Sequence, residues 1–255
     1  MTNLIPFLTP EQLALAFAIA LVAGTVKGMV GFAMPMILIA GLSLFLTPEQ
    51  ALAGLLLPTV VSNAMQAFRH GGAAAWQSVR RFRVFLIVGG IFLLLSSQLV
   101  TVLSVRALLL MIGGPVIVFA LIQLIGPDFR LARPDRRIEA GVGAIAGFVG
   151  GLSGVWGPPT VLYLTALDTP KSEQIRIQGV IYGLGAVALV IAHIGSGVLR
   201  AETLPFSVAL LIPAIAGMWV GGKLSDRIDQ ATFRKATLLV LLIVGANLVR
   251  RGLMG

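Results

Sequence analysis

Residues 151 to 161 read GGLSGVWGPPT, a run that no helix crosses intact, set inside an otherwise apolar stretch. Residues 27 to 37, KGMVGFAMPMI, pose the same problem near the other end of the chain. Proline lacks the amide hydrogen that continues an incoming helix, yet its fixed φ suits the first turn of a new one. Pro35 in one run, and Pro158 with Pro159 in the other, therefore mark helix starts inside apolar sequence. The glycines that precede them, Gly28 and Gly31, then Gly151, Gly154 and Gly157, permit the positive φ that such a turn needs. Each run reads as a broken helix.

The surrounding chain says where these breaks lie. Of 255 residues, 57% are hydrophobic and 11% charged, against about 25% charged in soluble domains. With a mean hydropathy of +0.98, this composition excludes an ordinary soluble domain and predicts an all-α, polytopic membrane protein in contact with a lipid bilayer. The net charge of +9 does not imply nucleic acid, because the basic residues sit in short loops between apolar runs. Cysteine is absent, which rules out disulfides and thiolate metal sites. No metal and no cofactor is expected. The N-terminus has no basic region ahead of its apolar run, so no cleaved signal peptide is expected.

Charge-poor runs at 12–26, 32–46, 51–68, 84–103, 105–125, 140–153, 158–167, 177–199, 203–222 and 236–249 give ten segments, short in pairs at each break. Whether each short pair crosses or dips in as a hairpin leaves the downstream topology unchanged. Fourteen Lys and Arg fall in one set of loops (around Arg69, Arg80, Arg136, Arg176 and Arg227) and four in the other, with Lys27 left inside the membrane. The positive-inside rule makes the first set cytoplasmic and turns both termini outward.

A shift of 123 residues lays AGTVKGMVGFAMP (23–35) on AGFVGGLSGVWGP (146–158), with six identities at Ala23, Gly24, Val26, Gly28, Gly31 and Pro35. His70 meets His193 at the same shift, and Thr47-Pro48 meets Thr169-Pro170 at a shift one residue smaller. Five segments separate equivalent points, an odd number, so the halves are expected to be inverted: a first repeat over 1–125, a basic cytoplasmic linker over 126–139 and a second repeat over 140–255. Inverted halves with interrupted helices at matching positions are the signature of a secondary transporter.

Helix starts present free N–H groups and a partial positive charge, which favour an anion by about 0.3 to 2 kcal/mol each. Backbone left open in hydrocarbon survives only where something satisfies it. The expected site brings together Lys27, Gly28 and Gly31 with Ser153, Gly154 and Trp156, flanked by the breaks at Pro35, Pro158 and Pro159. Asn63 and Gln66 extend it as part of one helical stripe with Thr59, and Gln178 and Tyr182 do so in the second half. No Asp or Glu falls in any of the ten segments, so the electrostatics favour a small anionic substrate. Lys27 has an alternative, snorkelling to the interface.

At these residues the chain resembles the sulfite exporter TauE/SafE family, also grouped as 4-toluene sulfonate uptake permeases. The paired AGxxxGxxGxxxP elements at 23–35 and 146–158, the TPEQA at 47–51 and the basic central loop carry the resemblance, which extends from about 14 to 249. The resemblance implies a transporter of the bacterial inner membrane for sulfite, sulfoacetate or other organosulfonates. Strict symmetry fails at Lys27, which meets Gly150, and at Ser153, which meets Val30.

Outward movement is the favoured direction, since an inside-negative potential expels an anion. A passive anion channel is the nearest rival. An enzyme is not expected; the enzymatic rival is an intramembrane serine hydrolase using Ser153 and His193, suggested by the GLSG at 151–154. The sequence is compatible with a homo-oligomer.

Overall fold

A computed structural model describes residues 5–125, 131, 135–154, 156–167, 169–224 and 230–254. Every regular element among them is helical: α1 (Pro10–Val30), α2 (Met34–Leu42), α3 (Pro48–Ala67), α4 (Gly72–Arg81), α5 (Arg83–Ser97) with a 3-10 turn (Gln98–Val100), α6 (Val105–Ile125), α7 (Arg136–Ser153), α8 (Gly157–Ala166), α9 (Lys171–Gly195), α10 (Leu204–Leu224) and α11 (Gln230–Met254). Local chemistry sets several starts. Thr9 and Thr47 each close a capping box with the glutamine three residues on and a proline between, at the beginnings of α1 and α3. Such caps contribute about 1 kcal/mol apiece. Asp135 accepts from the amides of Arg137 and Ile138, so α7 begins inside the stretch whose charge suggested a linker.

Among the described residues five helices are long and apolar enough to cross a membrane, at Pro10–Met29, Arg83–Val100, Val105–Ile122, Glu173–Gly195 and Leu204–Leu224, and α3 with α4 makes a sixth if that pair, bent by 103°, counts as one span. The chain is a multi-pass membrane protein. The elements after the breaks have 9 residues in α2 and 10 in α8. At about 1.5 Å per residue neither crosses a hydrocarbon core of about 30 Å.

Helix α4 corrects the reading of 69–83 as loop. Gly71 at φ 85° turns the chain off the end of α3. Ala75 and Val79 pack toward Val180 of α9 while Trp76 stays exposed, stacked by Arg80. Basic residues on such a helix look like loop in a hydropathy reading because only one narrow face is apolar. Arg81 pairs with Glu173 at 2.8 Å and fastens α4 to the start of α9.

Helix α1 packs chiefly on α10, α7 on α5, α3 on α9 and α6 on α11. Small residues bring these backbones close. A Cβ added at Gly24 would lie 2.0 Å from the Ala214 carbonyl oxygen, and one at Gly221 would lie 2.0 Å from that of Thr25. In the α5 and α7 pair, a Cβ at Gly147 would lie 2.0 Å from the Gly89 carbonyl oxygen. Close backbone approach of this kind holds helices together where lipid removes the hydrophobic driving force.

Helices that start earlier than the apolar runs also carry carboxylates that those runs lacked. Glu139, in the first turn of α7, is buried and accepts from the backbone N–H of Phe85 at 3.0 Å. It serves the first turn of α5, where amides have no intrahelical partner.

Candidate functional site

Both apolar runs do break. Helix α1 ends on Gly31 at φ 84°, whose N–H donates to the Lys27 carbonyl at 2.8 Å, and α7 ends on Gly154 at φ 70°, whose N–H donates to Gly150 at 2.7 Å. Each gap, 31–33 and 154–156, has the same length before the next helix begins. Pro35 stands second in α2. Pro158 and Pro159 lie in the opening turn of α8; the Pro158 side chain is outside the described residues.

Ala33 adopts φ 78° at the start of α2 and, among the described residues, is alone outside glycine in doing so. Left-handed geometry costs an L-residue about 1–2 kcal/mol. No side chain caps this helix start, so the strain and the open amides occur at one point. Sequence reading missed Ala33, and its only signal was alignment with the break of the other half.

The two breaks meet. Phe32, Ala33 and Pro35 from the first face Gly154, Trp156 and Gly157 from the second across a void of 20 Å³, completed by Lys27, Met36 and Tyr182. That space is close to the minimum of about 10–15 Å³ needed for one water. It is too small for an oxyanion of sulfur.

On one side of this contact a cleft of 410 Å³ ends at Lys27, Gly28, Gly31 and Gln66, with Arg69 also in its lining. Lys27 is 1% exposed, so it does not snorkel, and its ammonium donates to the Asn63 side-chain oxygen on α3. The Gln66 amide nitrogen donates to the Gly31 carbonyl at 2.8 Å. The Asn63 amide nitrogen and the Gln66 and Gln178 amide oxygens are buried without a hydrogen-bond partner. Among the described residues no carboxylate lines the cleft.

The remaining expected residues divide. A Cβ at Gly28 would lie 2.2 Å from the Met218 carbonyl oxygen, so this glycine also serves the α1 and α10 contact. Gln178 comes up to Gly31, its oxygen 3.7 Å from where a Cβ there would stand. Tyr182 donates to the Gly157 carbonyl at 3.0 Å, which spends its only proton on the break itself. Trp156 is buried edge-on to Tyr182 and lines the void. The Ser153 side chain lies outside the described residues. His193 is 0% exposed, with Nδ1 3.1 Å from the Ser196 hydroxyl, whereas His70, which it meets at the shift of 123, is exposed.

The two breaks are covered unequally. At Gly154 an added Cβ would meet Leu55 at 2.7 Å, and Leu52 closes in at 3.5 Å. Gly31 lines the cleft, where an added Cβ would meet Ile175 at 3.1 Å.

The model of the family described as sulfite exporter TauE/SafE matches residues 16–248 of the chain. Searches of curated proteins and of solved structures find no match. With so much of its length matched, the chain belongs to the TauE/SafE family.

Proposed function

We propose that this TauE/SafE family member is a carrier that moves small sulfur-containing anions, sulfite or an organosulfonate, out across the bacterial inner membrane, with the anion held between two helix starts. One observation carries the reading: both breaks border a single void next to a buried ammonium that, among the described residues, has no carboxylate beside it. Two helix N-termini and Lys27 supply positive potential where hydrocarbon would otherwise repel any ion.

The halves are read as inverted repeats. Exchanging them turns the pair α1 with α10 into α7 with α5, and leaves α3 with α9 and α6 with α11 unchanged, which is what a pseudo-two-fold requires. Arg69 belongs to the arginine-rich loop set, so the cleft faces the cytoplasm and the opposite side is covered by Leu52 and Leu55. The anion enters this cleft, meets Lys27, and passes when the break residues part. Helix starts too close to admit it in this state favour a carrier over an open pore. An inside-negative potential assists export by about 2.3 kcal/mol per charge per 100 mV.

Counterflow in proteoliposomes tests this. Vesicles loaded with unlabelled sulfite should accumulate labelled sulfite faster than empty ones. Equal rates would identify a channel, and no flux would refute the anion reading.

A further inference from the structure

We infer that the site selects anions carrying a hydrogen-bond donor of their own, an O–H or N–H beside the negative charge, and that Gln66 and Gln178 make the selection. This rests on the proposed function of the same site.

Lys27, Gly31 and Gln66 line the cleft, Asn63 touches Lys27 and Gln178 comes up to Gly31, and together they present two kinds of buried group. Lys27 and the Asn63 amide nitrogen are donors; the Gln66 and Gln178 amide oxygens are acceptors, and neither acceptor has a partner. Neighbours fix two of these orientations. Turning Asn63 over would aim its N–H₂ at an ammonium, and turning Gln66 over would aim its oxygen at the Gly31 carbonyl. The Gln66 oxygen is therefore a committed acceptor, 5% exposed at residue level, and Gln178 at 2% exposed places a second beside Gly31.

An anion with no proton satisfies the donors but leaves both oxygens unpaired and facing negative charge. A hydrogensulfite or a hydroxyalkanesulfonate gives one of them the missing hydrogen, and the ammonium of an aminoalkanesulfonate can give one to each. Sites built around a substrate O–H or N–H reject the analogue lacking it, because their own buried groups are then stranded. One or two unsatisfied acceptors correspond to a preference on the order of 10- to 100-fold.

Calorimetric titration of the purified protein needs no transport and decides the matter. Native protein should bind 2-hydroxyethanesulfonate about 10- to 100-fold tighter than propane-1-sulfonate, which has a methyl where the other has its hydroxyl. Gln178→Leu, or Gln178→Met should the first variant fail to fold, should weaken only the hydroxyl compound and narrow the gap. Lys27→Gln should weaken both alike. Propane-1-sulfonate binding as tightly as its partner to native protein, or a gap that loss of Gln178 leaves unchanged, overturns the inference while leaving the anion site standing. Failure of both sulfonates and of hydrogensulfite to bind overturns the proposed function along with it.

Discussion

Lys27 on α1 donates to the side-chain oxygen of Asn63 on α3, 36 positions further along the chain, and both side chains are buried. The charge lies against a neutral partner, so it remains available to an anion. Lys27→Met should leave the fold as stable or more so, since burying an ammonium is costly, while anion binding falls at least about tenfold, as loss of a charge-assisted hydrogen bond requires. Asn63→Leu should do the reverse to the fold, stranding the ammonium at a cost of about 2 kcal/mol. Thermal unfolding in detergent together with titration reads both; a Lys27→Met variant with native affinity would remove the ammonium from the site.

Gly147 and Gly90 should answer alanine with opposite signs. At Gly147 the new methyl would lie 2.0 Å from the Gly89 carbonyl oxygen, whereas at Gly90 nothing stands within 4 Å. Gly147→Ala should therefore lose about 1–3 kcal/mol through forced separation of α5 and α7. Gly90→Ala should be neutral or gain up to about 1 kcal/mol, because helix-interior glycine is entropically costly. Melting temperatures of the two variants make the comparison.

Ala33 holds φ 78° with no cap beneath it. Ala33→Gly should raise stability by about 1 kcal/mol, and Ala33→Val should lower it by more, since a β-branched side chain tolerates that geometry worst. Unchanged melting in both would mean that the break is free to relax.

The breaks were legible because their requirement is local: a proline that starts a helix and a glycine that can take positive φ announce themselves in a few residues. Gly31, Gly154 and Pro35 were found on that ground. Family membership was legible for the same reason, through the duplicated element. Lys27 with Asn63 was not, because helical stripes state which residues share a face but not the partner or depth they meet. Helix α4 was missed since its charges outweigh a narrow apolar face, and the burial of Glu139 was missed because α7 starts before its apolar run does. His70 and His193 align in sequence yet differ in exposure, so the duplication does not extend to equal environments.

Arg81 and Glu173 are 46% and 31% exposed as side chains, so their pairing should matter little for stability. Arg81→Ala should cost under about 1 kcal/mol, and the cost should shrink further in high salt. Thermal unfolding at two ionic strengths is sufficient; a larger loss that salt does not reduce would give this contact a structural role beyond its charge.

Crystals soaked in selenite, the heavier chemical analogue of sulfite, and measured at the selenium edge test the central claim most directly. The account predicts an anomalous peak in the cleft, within hydrogen-bond reach of the Lys27 ammonium and beside Gly31. Selenium found only beside surface arginines, with the cleft at Lys27 vacant, would contradict it.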